Sequence, residues 1–268
     1  MSFPTGSAFK HLLALAHDLA DQSGTVIRPH FRRPIAVANK AGAQAFDPVT
    51  KADQGAERAI ARMIRNRVPD HGILGEEYGS LRPDAPFQWV VDPIDGTRSF
   101  ITGTPMWGTL IGLLHSGAPV LGLMDQPFTG ERFWSDAKSA FRRESGGKAR
   151  RMRTRACSRL ADALIMTTSP EMFEAGVEMD SFERIKKAAR MTRYGGDCYA
   201  YCLLAAGFVD LVIEAGLKSY DVVALIPIVE RAGGRMTTWD GRPATAGGRI
   251  VATGDPALHD KVLKLLNR

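Results

Sequence analysis

Residues 89–100 read WVVDPIDGTRSF: an apolar run, Trp89, Val90 and Val91, that ends in Asp92-Pro93-Ile94-Asp95-Gly96-Thr97. Val90 and Val91 predict a buried strand. Pro93 cannot donate to a ladder, so the chain is expected to turn at the strand's carboxyl end with its oxygens pointing together. Two carboxylates, a free backbone carbonyl and a hydroxyl then fall within six residues. That set suits a hard divalent cation such as Mg2+, which takes carboxylates, carbonyls and water.

Around this stretch the composition is that of a soluble globular chain. At 268 residues, 44% apolar and 24% charged, it can bury a large core as one domain or two tightly joined halves. Lys10, His11, His17 and Asp18 interrupt the N-terminal apolar residues, so neither a signal-peptide core nor a membrane span can be drawn, and a cytoplasmic location is expected. The three cysteines form no disulfide framework; Cys198 and Cys202, at i and i+4 of an expected helix, read as packed thiols. None of the six histidines has metal-ligand spacing, and His71 reads as a turn residue.

The net charge of +6 is local. Lys138, Arg142, Arg143, Lys148, Arg150, Arg151, Arg153, Arg155 and Arg159 face only Glu144, which puts +8 on segment 138–159 and leaves −2 for the rest. Phe141 is the segment's one aromatic residue, and base stacking needs more. A solvated hairpin face fits better than a nucleic-acid surface, which stays as the alternative from another functional class.

Apolar spacing predicts an N-terminal helix through Phe9, Leu12, Leu13, Ala16, Leu19, Ala20, Val26 and Ile27, and a second from about Asp53 that stops before Pro69. Strands are expected at Gly72 to Leu74, Gln88 to Val91, Trp107 to Leu114, Val120 to Met124 and Arg132 to Trp134, the last three as an antiparallel meander. Further on come a strand at Ala163 to Thr167, helices at Phe182 to Ala189 and Asp197 to Ala206, and a strand at Leu211 to Glu214. Helices at Val222 to Arg231 and Pro256 to Leu266 complete the chain. The boundary between halves falls in the Gly146 to Arg155 stretch, giving 1–146 and 147–268 as one catalytic unit.

Several acids stand at element ends beside glycine, proline or another acid: Glu76-Glu77, Asp92, Asp95 and Asp221. Singly, each has a plain explanation. Asp221 and Asp53 suit helix starts, and Asp47 before Pro48 suits a turn.

Together they resemble the inositol monophosphatase superfamily of Mg2+-dependent phosphomonoesterases. Gly75-Glu76-Glu77, Asp92-Pro93-Ile94-Asp95-Gly96-Thr97, and Tyr220-Asp221 followed by Ala232-Gly233-Gly234 occur in that family's order and approximate spacing, and Asp47-Pro48-Val49-Thr50-Lys51-Ala52-Asp53 matches as well. The resemblance implies an α/β layered fold, an alternating α-β-α-β-α sandwich, with two or three Mg2+ per active site. Glu76, Asp92 and the Ile94 carbonyl would hold one ion, and Asp92, Asp95 and Asp221 another. Thr97, oriented by Asp53, would align and deprotonate the attacking water, with Glu76 beside it. The Gly96 and Thr97 N–H groups would bind phosphate oxygens. A homodimer is also implied. Lys40 and Lys51 could help orient acids or phosphate, but each reads better as a solvated lysine.

Within the superfamily, Arg98-Ser99-Phe100, Gly195-Gly196-Asp197-Cys198-Tyr199-Ala200-Tyr201 and Tyr220-Asp221-Val222-Val223-Ala224-Leu225 are most similar to the histidinol-phosphate phosphatase branch. Asp197 and Glu214 match substrate-pocket positions there, with Asp221 at the metal end and Arg193 and Tyr194 as further lining. Two acids beyond the phosphate would attract a cationic ester such as L-histidinol phosphate, an intermediate of histidine biosynthesis. Inositol 1-phosphate is the alternative substrate; phosphoadenosine and fructose bisphosphate rank lower.

Overall fold

The computed structural model describes residues 6–40 and 48–267, so Asp47 lies outside the described residues. The N-terminal half runs α1 (Ser7–Ile27), β1 (Val37–Asn39), β2 (Pro48–Thr50), α2 (Lys51–Arg67), β3 (Gly72–Gly75), β4 (Gly79–Leu81), β5 (Phe87–Asp95), α3 (Thr97–Ile101), β6 (Gly108–His115), β7 (Ala118–Gln126), β8 (Glu131–Ser135), β9 (Ala140–Arg143) and β10 (Arg150–Arg151). It is followed by β11 (Leu164–Thr167), α4 (Val177–Ala188), β12 (Met191–Tyr194), α5 (Asp197–Ala205), β13 (Leu211–Leu217), α6 (Ser219–Val222), α7 (Leu225–Arg231), β14 (Arg235–Thr238), β15 (Gly248–Thr253) and α8 (Pro256–Leu266).

Among the described residues the strands form an eight-stranded sheet, β10-β9-β8-β7-β6-β5-β3-β4, a five-stranded sheet, β12-β11-β13-β15-β14, and the β1-β2 ribbon. Helices α1 and α2 cover one face of the large sheet, where Leu15, Leu19, Ile60 and Ile64 pack on Trp89, Val91 and Ile111. Helices α5 and α7 lie between the sheets, and α4 and α8 close the far side of the small one. This is the expected α-β-α-β-α succession. Each sheet therefore has both faces covered, and its strands read as apolar runs rather than alternating ones.

The division at 146/147 falls inside the β9–β10 hairpin, since Arg150 pairs with Arg142 and β10 is still the edge of the first sheet. The basic segment is thus a hairpin face, as expected, but Arg155 leaves it to bond Asp210, Nε to Oδ1 at 2.6 Å. Strands β12, β14 and β15 went unrecognised in the sequence. They are short, and Gly247-Gly248 obscures the start of the Ile250–Ala252 run.

Two departures from the expected elements shape the site. Strand β5 does not stop at Val91: it continues to Asp95 through a bulge between Asp92, opposite Leu110, and Asp95, opposite Gly108. Pro93 sits in the bulge, where no ladder donor is required, and its carbonyl accepts from Thr109 Oγ1 at 2.8 Å. The single helix expected over Val222 to Arg231 is in fact α6 and α7, broken at Val223-Ala224. Gly112 and Gly122 are cross-strand partners on β6 and β7, and that break enters the space they leave. A Cβ at Gly112 would lie 2.7 Å from Val223 Cγ1, and one at Gly122 would overlap the Ala224 carbonyl. Asp221 is thereby brought down beside the end of β5.

Candidate active site

Four segments meet at the carboxyl end of β5: the bulge, the β3–β4 turn with Glu76 and Glu77, the short helix α6, and the start of α5. Carboxylate oxygens of Asp92, Asp95 and Asp221 come within 4.8 Å of one another. Asp92 Oδ1 accepts the Ile94 N–H at 2.9 Å, Asp95 Oδ2 accepts the Cys198 N–H at 2.8 Å, and Asp221 Oδ2 accepts the Lys218 N–H at 2.6 Å. Each acid thus has one oxygen tied to backbone, which orients the group without neutralising it.

Burial, then the charges of Glu76, Asp95 and Asp221, push the Asp92 carboxyl well above the usual carboxylate range. Burial, then Asp221 and Asp197, do the same to Asp95. For Asp221, burial outweighs the Lys218 N–H that favours its ionised form, and the carboxyl is pushed up to about 7. Like charges held this close resist ionisation unless a cation joins them. An all-oxygen set of this kind fits a hard divalent cation, which Asp92, Asp95 and Asp221 would hold.

The proton and the metal therefore compete. Asp221 has a folded pKa raised above its ordinary value, so the stability it lends the metal-free protein is present at low pH and lost as pH rises toward and through about 7. Metal binding requires the ionised form and runs the other way. Apparent affinity for a divalent cation should therefore strengthen as pH rises toward and through about 7, and Asp92 and Asp95, raised as well, act in the same direction. Calorimetric titration at pH 6, 7 and 8 checks this, and the Tm gain on adding Mg2+ should grow over the same series.

The remaining expected site residues are placed as follows. Glu76 is held by Lys40, whose Nζ donates to Glu76 Oε1 at 2.6 Å and to Glu77 Oε1 at 2.9 Å; Lys40 is not the solvated lysine expected, because two acids in one turn offer it a better partner than water. The Ile94 carbonyl accepts the Thr97 hydroxyl at 3.1 Å. Gly96 adopts φ +83, the left-handed turn that starts α3 and that glycine allows. The expected Asp53–Thr97 contact is not made. Asp53 Oδ2 instead accepts the Thr50 N–H at 2.9 Å in a capping box that starts α2, its Oδ1 is buried with no hydrogen-bond partner among the described residues, and burial pushes the group up to about 6.

Asp197 stands at φ +42 on the first turn of α5, pressed against Gly96: a Cβ at Gly96 would lie 3.0 Å from the Asp197 carboxyl carbon. Ser99 Oγ donates to Asp197 Oδ2 at 2.7 Å, and Oδ1 accepts no hydrogen bond among the described residues. Glu214 is 2% exposed within β13 rather than at a solvated strand end. Oε1 accepts from the Thr168 N–H (2.9 Å) and hydroxyl (2.6 Å), Oε2 accepts from Tyr201 at 2.9 Å, and burial pushes the group up to about 7. Both of its oxygens are thus already engaged, and it is not an open acceptor face. Arg193 and Tyr194 are exposed on β12, an edge strand, and Arg193 has no hydrogen bond or ion pair among the described residues. His71 accepts the Trp89 indole N–H at 3.1 Å, and Cys198 and Cys202 are buried free thiols, as expected.

Sequence reading missed Thr168, which holds Glu214 and accepts the Asp197 N–H at 3.1 Å. No motif marks it. Ser99 appeared only as part of a motif; its reach to Asp197 spans 98 positions, which no local pattern reveals.

Comparison with known proteins agrees with this arrangement. The sequence model of the inositol monophosphatase family matches residues 9–268. The bifunctional phosphatase IMPL2, chloroplastic, of Arabidopsis thaliana is 43% identical over 264 residues, covering 94% of this chain and 74% of its own length. A histidinol-phosphatase of Mycobacterium tuberculosis is 34% identical over 257 residues, covering 95% and 97%. Among solved structures, that of an inositol monophosphatase from Zymomonas mobilis superposes with a TM-score of 0.86 at 43% identity, covering 98% of this chain and all of the other (100%). With the acidic centre at the end of β5 and likeness across nearly its whole length, the chain belongs to the inositol monophosphatase family of metal-dependent phosphatases.

Proposed function

We propose that the protein is a Mg2+-dependent phosphomonoesterase that hydrolyses L-histidinol phosphate to L-histidinol and phosphate in histidine biosynthesis. The observation that carries the substrate choice is Asp197, a carboxylate set against the Gly96 turn with one oxygen that accepts no hydrogen bond among the described residues. Glu214 is tied to it through Thr168, whose hydroxyl donates to Glu214 Oε1 and accepts the Asp197 N–H. An ester whose alcohol bears an ammonium or imidazolium group would satisfy Asp197 by a charge-assisted hydrogen bond, which a neutral polyol cannot do. Histidinol-phosphatases of three bacteria, 32–35% identical over 92–96% of this chain, support the same choice.

When bound, Mg2+ ions supply charge for the phosphate and make a water molecule acidic enough to attack at neutral pH. Asp92, Asp95, Asp221 and Glu76 would hold them, with the Ile94 carbonyl as a neutral donor. The Gly96-Thr97 turn at the start of α3 would offer its backbone N–H groups to the phosphate oxygens. Thr97 Oγ1, which donates to the Ile94 carbonyl, would orient the attacking water. Asp53 would act on Thr97 only after its free Oδ1 turned that way. No covalent phosphoenzyme is invoked.

Asp197→Asn is expected to raise KM for histidinol phosphate by about tenfold or more, a charge-assisted bond becoming a neutral one. Turnover of an aryl phosphate should change by less than about twofold. Steady-state kinetics on both substrates decide the matter, and equal losses on the two would count against a substrate role for Asp197.

A further inference from the structure

Glu57 has no part in the roles above. It lies one helical turn beyond Asp53 on the same face of α2, 2% exposed. Its Oε2 accepts the Glu77 N–H at 2.8 Å and its Oε1 the Tyr78 N–H at 3.0 Å. These are successive amides of the β3–β4 turn, the turn that carries Glu76. Gly75, just before it, leaves room for the Glu57 carboxylate, which a Cβ there would overlap. On the other side, the Glu76 N–H donates to the carbonyl of Val91 at 3.2 Å, on the strand that leads into Asp92. The turn is thus gripped between α2 and β5.

Burying a carboxylate is costly and has to be repaid by hydrogen bonds. Strand β4 is an exposed edge, so nothing in the packing of the sheet calls for a charged clamp beneath it. What such a clamp does set is the position of Glu76 facing Asp92. We propose that Glu57 is a positioning residue of the metal centre: by holding the Glu77 and Tyr78 amides it fixes Glu76 in place and so sets the affinity for the divalent cation. Groups that orient metal ligands in this way change affinity by about 10- to 100-fold when removed. The inference rests on Asp92, Asp95, Asp221 and Glu76 forming a metal centre.

The test is calorimetric titration of the purified full chain with Mn2+ alone, for the wild type, Glu57→Gln and Gly75→Ala. The glutamine turns an N–H donor toward one of the two amides; the alanine methyl displaces the carboxylate while leaving its charge. Both variants are expected to weaken Mn2+ binding by about tenfold or more, with Glu57→Gln keeping kcat for phosphate release within about threefold of wild type at saturating Mg2+. Unchanged Mn2+ affinity in Glu57→Gln, even with a lowered Tm, would overturn the positioning role and leave a structural one. Should Glu57→Gln not fold, Gly75→Ala decides by the same criterion. A wild type that binds no Mn2+ would overturn the metal-centre reading and this one with it, whereas wild-type binding matched by the variants overturns this one alone.

Discussion

Asp95→Asn is expected to lower kcat for phosphate release by about 10^3-fold or more, equivalent to about 4 kcal/mol of lost transition-state stabilisation. Asp95 Oδ2 takes the Cys198 N–H, and the Asn carbonyl can accept that same bond, so α5 keeps its tie to β5. What changes is the side facing Asp92 and Asp221, where an ionisable oxygen gives way to a neutral amide. Cation affinity should fall in step. The metal-free protein should respond oppositely: burial and the neighbouring charge of Asp221 hold Asp95 in an unfavourable state, and removing a like charge relieves it. A metal-free Tm equal to or above wild type, with activity gone, separates a lost ligand from a damaged fold. Near-normal turnover would contradict the shared role of Asp95.

Gly122→Ala is expected to be the most destabilising small substitution in the first sheet, by about 3 kcal/mol or more. The added methyl would overlap the carbonyl oxygen of Ala224 and lie 2.8 Å from its carbonyl carbon and 2.9 Å from Pro227 Cγ. Two of these are backbone atoms of the break between α6 and α7, which cannot rotate away as a side-chain tip would. The helix must lift or the strand bend, and Asp221 lies three residues from the contact. For a chain of this size the penalty corresponds to a Tm drop of about 10 °C. Mg2+ should restore less stability to this variant than to wild type, since the displaced group is one of the proposed ligands. Thermal melts with and without Mg2+ measure both effects. A Tm within about 2 °C of wild type would show that the α6–α7 seat on the sheet is looser than its geometry implies.

The acidic motif was legible because its information is local: a strand, a proline and two acids within a few residues predict an oxygen cluster wherever the rest of the chain goes. Helices α1, α2 and α8 were legible for the same reason, each having a long apolar face. What escaped was set by contacts between distant segments. Asp53 was expected to reach Thr97, but the Thr50 amide three residues away competes for the same carboxylate, and the local cap prevails. Lys40 looked solvated because nothing near it in sequence is acidic; its partners lie 36 and 37 positions on. Gly112 and Gly122 mark the seat of α6 and α7 only once β6 and β7 are paired. Glu57 came closest to being readable, since its spacing from Asp53 places two acids on one helical face. The spacing could not say that a glycine-flanked turn would meet it.

The most direct measurement is phosphate release from L-histidinol phosphate and inositol 1-phosphate, side by side, with Mg2+ and with the metal chelated. Hydrolysis that requires Mg2+, with kcat/KM at least about tenfold higher for histidinol phosphate, is the expected result. Hydrolysis that persists after chelation would contradict the metal centre at Asp92, Asp95 and Asp221, and equal or greater efficiency on inositol 1-phosphate would contradict the substrate assignment drawn from Asp197.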